Sequence, residues 1–259
     1  MKNYIYIFAI LLLASCSNNN KEQKGQTTTT DTLAVNNTGN AFAFNEVEFK
    51  KQSLPFTIDT LFIQKVDTNN RITYQQVRAL GINFLNGELG DGLSYDLNTF
   101  CLIDSLKQRN KYVDYINHLD IGMTKTCIAY KVCLINLPEN NKLFIWGITN
   151  ASYEACPFFS GTLLIGTFVN SNKEATHFNI AELSGGGDPP SMMNTQTTAN
   201  IGADGKIEII SIVNSDDMDV PGEGIERTTY KLEIKGNVIS LVDTKKEVLS
   251  KEDEAKQDQ

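Results

Sequence analysis

The strongest constraint on the fold is a series of apolar, β-branched segments in the second half of the chain, each followed by a turn sequence. Thr126–Leu137 (TCIAYKVCLINL) is apolar on both faces, which is typical of a buried central strand. Pro-Glu-Asn-Asn at 138–141 predicts a turn, and KLFIWGITN predicts the returning strand. Further pairs of segments follow, joined by SNKE, GADGK and KGN. The pattern predicts a mainly β fold of sequential hairpins, either an antiparallel sheet or a barrel.

The first half of the chain predicts one or two short helices beside further strands. FTIDTLFI predicts a strand, since β-branched and aromatic residues dominate it. CLIDSL and YVDYINHL predict a hairpin around QRNK. In RITYQQVRALGINFL the apolar residues follow helical spacing, although Gly81 weakens a helix there. The apolar residues of that predicted helix are Ile72, Val77, Leu80 and Phe84.

The amino-terminal residues have the pattern of a secretory signal that ends at a cysteine. Lys2 precedes an apolar run from Tyr4 to Ala14, about half of the roughly 20 residues that a transmembrane helix needs. Leu13-Ala14-Ser15-Cys16 resembles the lipobox of bacterial lipoproteins. In that family the signal is removed before the cysteine, which then carries acyl chains such as palmitate. The resemblance implies that residues 1–15 are cut off and that Cys16 anchors the chain in a membrane. An ordinary signal peptide is the alternative.

A polar segment follows Cys16 and precedes the predicted folded part. Residues 16–40 are nearly all polar, so they predict a disordered tether behind the lipidated cysteine. Within this tether, Asp31-Thr32-Leu33 resembles the O-glycosylation sequon of Bacteroidota exoproteins, which implies a glycan on Thr32. Residues 41–247 predict a single β-rich domain, and residues 248–259 predict a charged, flexible tail.

Ser17 and the charge of the chain bear on location and partners. Serine rather than aspartate after the cysteine resembles lipoproteins sorted to the outer membrane instead of the inner one. Whether the domain faces the periplasm or the cell surface stays open. SLPFTIDTLFI followed by a helix and hairpins loosely resembles uncharacterised lipoproteins of Bacteroidota, which implies location and shape but no activity. The net charge of −8 argues against a nucleic-acid partner, which requires a basic face.

The chain has 5 Cys, an odd number that leaves one without a partner in an exported protein. Lipidation of Cys16 would leave four, and an oxidising envelope favours at least one disulfide among them. Cys127 and Cys133 lie about 20 Å apart along one predicted strand, whereas a disulfide needs Cα atoms within about 7 Å. Two pairings stay open: Cys101 with Cys127 and Cys133 with Cys156, or Cys101 with Cys133 and Cys127 with Cys156. Buried thiols are the alternative.

An acidic loop is the one candidate cation site. NSDDMDVPGEGIE brings together carboxylates that could hold calcium, from Asp216, Asp217, Asp219 and Glu223. An EF-hand alignment starting at Asp217 puts Pro221 in the fifth position and Thr228 where the bidentate glutamate belongs. A solvated acidic loop is therefore favoured, and no other cofactor is predicted. SGGGDPP, residues 184–190, predicts a wide loop between strands instead of a phosphate loop.

The sequence contains no recognisable catalytic motif. His118 and His177 lie in predicted strands, and the nucleophile elbow of triad hydrolases, G-x-S-x-G, is missing from the sequence. The 31 Asp and Glu residues single out no catalytic pair, so catalytic residues are unknown. This favours a protein that binds over one that catalyses.

Aromatic residues concentrate in FIWGITNASYEACPFF, where exposed rings could stack on a ligand and buried ones would belong to the core. The candidate ligand-binding residues are Trp146, Tyr153, Phe158 and Phe159.

Taken together, the sequence predicts a lipid-anchored envelope protein that binds or scaffolds a protein or glycan partner. The alternative is an envelope hydrolase that cleaves peptide or sugar with carboxylates.

Overall fold

A computed structural model of the protein describes residues 44–80, 83–91, 93–109, 123–153, 158–188, 191–216 and 225–249. All of them belong to one compact unit of the chain, Gly39–Gln259. The helices are α1 (Thr60–Gln64), α2 (Tyr74–Ala79) and α3 (Leu93–Gln108). The strands are β1 (Lys50–Gln52), β2 (Phe56–Ile58), β3 (Arg71–Ile72), β4 (Met123–Asn136), β5 (Lys142–Tyr153), β6 (Phe158–Val169), β7 (Ala175–Asp188), β8 (Ser191–Ile201), β9 (Ile207–Asp216), β10 (Ile225–Lys235) and β11 (Val238–Leu249). Within these ranges, none of the helices has the length and apolar character needed to span a bilayer.

The strands form one 11-stranded sheet that begins at β1 and ends at β11. From β4 to β11 each strand pairs antiparallel with the next one in the sequence. β1 lies parallel to β4, which makes the sheet mixed, while β2 pairs with β8 and β3 with β4. The prediction of a mainly β fold of sequential hairpins is confirmed, and the sheet is open instead of closed into a barrel.

The predicted turn sequences all lie at hairpin turns of this sheet. Asn170 organises the turn between β6 and β7, because its Oδ1 accepts the backbone N–H groups of Asn172 (2.9 Å) and Glu174 (3.0 Å). Gly205, between β8 and β9, has φ +81°, a conformation that side-chain-bearing residues rarely adopt. Local turn chemistry therefore fixes where each strand ends, and the strand pairing follows.

Each face of the sheet carries its own hydrophobic core. We call the face covered by α2 and α3 the outer face; its core contains Leu93, Phe100, Phe144, Trp146 and Ile165. The opposite, inner face carries the larger core, which runs from β4 to β11 and includes Tyr130, Phe168, Phe178, Ile209 and Leu232. Burial of each such side chain contributes on the order of 1.5–3 kcal/mol to folding. Since both faces are covered, the central strands are apolar on both sides, as the sequence of β4 predicted.

A β-bulge near the middle of β4 changes which residues face each core. Lys131 pairs with Trp146 and Cys133 with Ile145, so Val132 is an extra residue in β4. Such an insertion shifts the alternation of side chains by one position. Consequently Cys127 belongs to the outer core and Cys133 to the inner core. This arrangement agrees with the argument that these two cysteines cannot bridge each other.

Strands β7 and β8 separate over half of their length, and other segments fill the gap. Their pairing runs only from Glu182–Thr197 to Asp188–Ser191. Along the rest of β7, residues 83–91, which we call the strap, supply the partners. The backbone N–H of Leu85 donates to the carbonyl of His177 (2.8 Å), and that of Asn179 donates to Leu89 (2.7 Å). The strap therefore satisfies backbone groups that β8 leaves unpaired.

The structure corrects the predicted hairpin at CLIDSL. This segment lies inside α3, whose residues Leu93, Phe100 and Ile103 are all buried at helical spacing. YVDYINHL lies outside the described residues. The prediction of two strands around QRNK is therefore wrong for its first half.

Two further segments of the first half are divided differently from the prediction. FTIDTLFI splits into β2 and α1, because Asp59 caps the helix by accepting the backbone N–H of Phe62 at 2.7 Å. Among the described residues of the longer predicted helix RITYQQVRALGINFL, the helical ones are those of α2, and Phe84 belongs to the strap. A capping box between Thr73 and Gln76 begins α2.

Candidate functional site

A small polar cavity lies on the outer face, where β5, β6 and β7 pass the first residue of α3. Its volume is about 230 Å³. Its polar lining residues are Asp91, Asn150, Thr162, Asn179, Glu182 and Ser184, and its other lining residues are Leu93, Gly161 and Leu163. Because the polar groups are mainly carboxylates and amides, we call it the acceptor cavity.

Sheet register brings three lining residues side by side across neighbouring strands. Asn150 of β5 pairs with Gly161 of β6, and Gly161 pairs with Ser184 of β7. A Cβ atom built on Gly161 would lie 2.4 Å from the Cβ and 2.6 Å from the Cα of Ser184. A side chain at position 161 would therefore force β6 and β7 apart, so glycine is needed at the cavity wall.

A second β-bulge, in β7, places Asn179 and Glu182 on the same face. Ile165 pairs with Asn179 and Leu164 with Ala181, so Ile180 is an extra residue. Strict alternation would put the side chains of Asn179 and Glu182 on opposite faces of the sheet. The extra residue in the bulge shifts the alternation by one position, so both side chains point to the same face. The Nδ2 of Asn179 consequently donates a hydrogen bond of 3.0 Å to Oε2 of Glu182.

The carboxylate of Glu182 is held by neutral donors. Besides Asn179, the hydroxyl of Ser184 donates to Oε1 of Glu182 at 2.6 Å. With its Nδ2 committed to Glu182, Asn179 has a buried Oδ1 without a hydrogen-bond partner among the described residues. This oxygen is enclosed by the protein and has no surface open to the cavity. The carboxylate of Glu182 accepts only two of the roughly four hydrogen bonds that it can take, so it is the acceptor that a bound donor could use.

A chain of hydroxyl groups lies on the inner face of the sheet, behind the cavity. The Tyr130 hydroxyl lies 2.8 Å from Oγ1 of Thr149, which lies 2.9 Å from Oγ1 of Thr162. Burial raises the pKa of Tyr130, so its phenol keeps its proton. Thr162 pairs with Thr149 across the two strands, and both side chains point to the inner face with Tyr130. The Thr162 hydroxyl therefore faces away from the cavity.

The described lining of the acceptor cavity is negatively charged. Among the residues that the structure describes, it includes two carboxylates and no lysine, arginine or histidine. Neither Asp91 nor Glu182 has a cation within 4 Å among these residues, and the ion pairs all involve other carboxylates. The described part of the site therefore offers mainly acceptors to a ligand, which favours hydroxyl or amine groups over anions.

A larger cavity of about 570 Å³ lies between β1, β4 and α1. It is lined by Lys50, Lys65 and Lys131 but also by Asp59 and Asp67. The buried Lys131 is itself paired with Glu48 at 2.8 Å and donates to the carbonyl of Arg71 at 3.2 Å. Charges of both signs balance there, so this lysine cavity favours no single ligand class.

A third cavity, of about 470 Å³, lies beside the turn between β6 and β7. Phe44 and Phe144 form its apolar part, and both rings already pack into the outer core. Two lysines line it: Lys142 is paired with Glu46, and Lys173 is an exposed turn residue. Packing accounts for the aromatic rings and an ion pair for Lys142, so this cavity is less distinctive than the acceptor cavity.

The structure places Trp146 in the outer core with 0% exposure. Its Nε1 donates to Oγ1 of Thr167 at 2.8 Å, and that hydroxyl is also 2.8 Å from Nδ1 of the buried His177. Trp146 therefore offers no exposed ring to a ligand. The prediction that it binds a ligand is wrong, and the alternative, that it belongs to the core, is correct.

The other predicted aromatic residues lie at the ends of strands. Tyr153 lies at the end of β5, and Phe158 and Phe159 begin β6. His118 lies outside the described residues.

The described cysteines are far from reactive. Burial raises the pKa of Cys101 to about 11 and that of Cys133 to about 12. Both are thiols in this structure, and Sγ of Cys101 contacts the carbonyl of Tyr74 at 3.8 Å. Cys156 lies outside the described residues, so a disulfide involving it stays a prediction, as does lipidation of Cys16.

Only one of the predicted calcium ligands, Asp216, lies among the described residues. Asp216 ends β9, whereas Asp217, Asp219 and Glu223 lie outside the described residues, as does the predicted glycosylation site Thr32. Among the residues that the structure describes, no group of three or more His, Cys, Asp or Glu side chains could hold a metal ion. Calcium binding by the acidic loop stays a prediction.

Comparisons of the chain with known protein families, with curated proteins and with solved structures found no significant match. The functional argument therefore depends on the acceptor cavity. Sequence reasoning missed its residues, and one signal was present: Glu182 is a carboxylate within AEL, inside an otherwise buried strand. A charged residue in such a position needs a structural or functional reason.

Proposed function

We propose that this protein is a lipid-anchored binding protein of the cell envelope whose acceptor cavity holds a small, hydroxylated ligand such as one unit of a glycan. The observation that carries the proposal is the pair of carboxylates, Asp91 and Glu182, which line the cavity and have no cation within 4 Å among the described residues. A ligand hydroxyl placed there would donate hydrogen bonds to charged acceptors, which are stronger than those to neutral ones. Binding would thereby gain free energy from acceptors that the described part of the chain leaves without an ion pair.

The size of the cavity sets the size of the ligand. Sites for drug-sized molecules occupy roughly 300–1,000 Å³, and the acceptor cavity is smaller, at about 230 Å³. It therefore suits one ring or a short polar chain. Leu93 and Leu163 supply the apolar contacts, while carboxylate, amide and hydroxyl groups fix the orientation. A longer glycan would place only one of its units in the cavity.

The envelope location is supported by the lipobox-like residues Leu13 to Cys16 and by the polar segment after them. Ser17 supports the outer membrane over the inner one. Replacing Cys16 with serine tests this part of the proposal: the variant should lose metabolic labelling with palmitate and leave the membrane fraction. A Cys16→Ser protein that keeps its acyl label would contradict lipidation at this residue.

Binding is tested with the full-length protein in detergent, titrated calorimetrically with a panel of monosaccharides and short oligosaccharides. Asp91→Trp should abolish binding, because Asp91 is an exposed residue at the cavity wall where an indole would fill the opening. Asn172→Trp is the matched control, since Asn172 is an exposed turn residue that lines none of the cavities described above. If the two variants bind sugars equally well, the cavity is not the binding site.

Hydrolysis is a second candidate function, because the cavity brings two carboxylates, Asp91 and Glu182, to one site. Glycoside hydrolysis uses such a pair as acid and base or nucleophile. Incubation with chromogenic glycosides and peptides distinguishes the two functions. Turnover that is lost in both Asp91→Asn and Glu182→Gln would establish a hydrolase, whereas binding without turnover supports the binding protein.

A further inference from the structure

We infer that the protein forms a dimer in which β11 pairs with β11 of a second copy of this chain. The pairing would join the two sheets into one continuous sheet. The inference is independent of the acceptor cavity, so its outcome does not decide the proposed binding function. It follows from an open strand edge, from exposed apolar side chains and from a row of charges that ends at this edge.

The first step concerns the edge of the sheet. β11 (Val238–Leu249) has 12 residues and pairs with β10 along one side. Among the described residues, no strand pairs with its other side, because β11 is the last strand of the sheet. The strand at the opposite end of the sheet, β1, has only 3 residues. The unpaired backbone N–H and C=O groups along the open side of β11 can therefore receive a further strand.

The second step concerns exposed apolar side chains. Among the described residues, seven large apolar side chains are exposed, and three of the seven lie in β11. These three are Val238 (63%), Val242 (46%) and Val248 (79%). The other four lie one each in four separate segments of the chain. Single exposed apolar residues are common, whereas their concentration along one open strand indicates a contact surface.

The third step concerns a row of charges that crosses the sheet. Glu208 of β9 pairs with Lys231 of β10, which pairs with Asp243 of β11. The signs of these three side chains alternate, and Nζ of Lys231 lies 3.3 Å from Oδ2 of Asp243. At the open edge the row ends in a negative charge. A further strand that places a positive side chain opposite Asp243 would continue the alternation, which stabilises strand pairing.

A second β11 supplies that positive charge when the two strands pair antiparallel about a two-fold axis. One residue then faces its own copy, and residues at equal distances on either side of it face each other. With Thr244 at the axis, Asp243 faces Lys245 of the second copy, and the symmetry repeats this pair. Asp243 and Lys245 are two residues apart in β11, so their side chains lie on one face of the joined sheet. The strand is therefore complementary to itself in this register.

Charge disfavours the other registers. An axis at any charged residue of β11 would set that residue opposite its own copy, with like charges side by side. These residues are Asp243, Lys245, Lys246 and Glu247. An axis at Leu241 or Val242 would bring no opposite charges together, and an axis nearer to either end of β11 would pair only a few residues. We therefore assign the axis to Thr244.

The first test places a cysteine at this axis. In Thr244→Cys the two Cα atoms would be about 4.5–5.5 Å apart, within the range of a disulfide. The full-length protein in detergent, oxidised with copper phenanthroline, should give a covalent dimer on a non-reducing gel. Val248→Cys is the matched control: Val248 is exposed in the same strand, but in this register its two copies would be about 27 Å apart along the strands. The unchanged protein, which has 5 Cys of its own, is oxidised alongside.

The second test reverses one charge. Lys245→Glu would set a negative charge opposite Asp243 at both symmetric positions, which should raise the dissociation constant of the dimer about tenfold in analytical ultracentrifugation. Lys206→Glu is the matched control, because Lys206 is exposed to a similar degree and is also paired with a carboxylate, but lies outside β11. Exchange of both charges, Asp243→Lys with Lys245→Glu, should restore the dimer.

Each outcome supports or overturns the inference. A covalent dimer from Thr244→Cys and not from Val248→Cys supports the pairing and its register. Equal yields from these two variants, no dimer from either, or equal dissociation constants for Lys245→Glu and Lys206→Glu would overturn it. A protein that sediments as a monomer at all concentrations would also overturn it, and would assign the bulge at Val242 and the lysines of β11 to protection of the edge.

Discussion

Replacing Gly147 with alanine tests the close packing of the inner core against β5. A Cβ atom at position 147 would lie 2.7 Å from Cε2 and Cζ of the Tyr130 ring and 2.8 Å from Cδ2 of Leu164. All three atoms are closer than van der Waals contact allows, and both side chains are buried, with 0% exposure. Tyr130 cannot rotate into solvent, so the ring or β5 must shift.

Overpacking of this kind costs about 1–3 kcal/mol. Urea unfolding of the full-length protein, followed by circular dichroism, should therefore show a lower midpoint at unchanged slope.

Gly202→Ala is the matched control for Gly147→Ala. A Cβ at Gly202 would lie 2.8 Å from Oδ1 of Asp204, at the end of an exposed side chain, and in ordinary contact with the backbone oxygen of Lys206 at 3.6 Å. Only the hydrogen bond from the Lys206 N–H to that carboxylate has to adjust, so the substitution should lower the free energy of unfolding by less than about 1 kcal/mol. Equal stability of Gly147→Ala and Gly202→Ala would refute the close packing of Tyr130 against β5.

Three further predictions follow from single groups. Trp146→Phe should destabilise the protein by about 1 kcal/mol, because the hydrogen bond to Thr167 is lost. In the native protein the fluorescence of Trp146 should be blue-shifted and should not be quenched by acrylamide. Strong quenching would contradict the burial of this side chain. Lys246 and Tyr230 lower the pKa of Glu88, so its contribution to stability is present at neutral pH and is lost as the pH falls through the carboxylate range. In Glu88→Gln the free energy of unfolding should therefore fall slightly less steeply as the pH is lowered. The effect is small because Glu88 is 46% exposed. An unchanged pH dependence would refute this role of Glu88. Cys133 should not react with a thiol reagent in the native protein, because it is buried. It should react once the protein is denatured, even without a reductant. A Cys133 that still does not react in denaturant would indicate a disulfide.

The sequence predicts the β fold well because the information is local. Turn sequences such as Pro138–Asn140 and GADGK fix the hairpin ends, and the apolar segments between them have the length of strands. The helix α3 was missed because CLIDSL, seen alone, resembles a strand. Its apolar residues Leu93, Phe100 and Ile103 show their helical spacing only over a longer window.

The acceptor cavity could not be predicted in the same way. Asp91, Asn150, Thr162 and Glu182 are distant in sequence and meet only through the strap and the register of three strands. The bulge at Ile180 also cancels the alternation by which Asn179 and Glu182 would have been assigned to opposite faces. Nothing local marks that extra residue, so the pairing of these two side chains is a product of the tertiary structure.

The most direct test of the account is a crystal structure of the protein with a monosaccharide that binds in the calorimetric panel. The account predicts the sugar in the acceptor cavity, with ring hydroxyls within hydrogen-bond distance of the carboxylates of Asp91 and Glu182. An acceptor cavity without sugar, in crystals where the sugar occupies the lysine cavity or another surface, would contradict it.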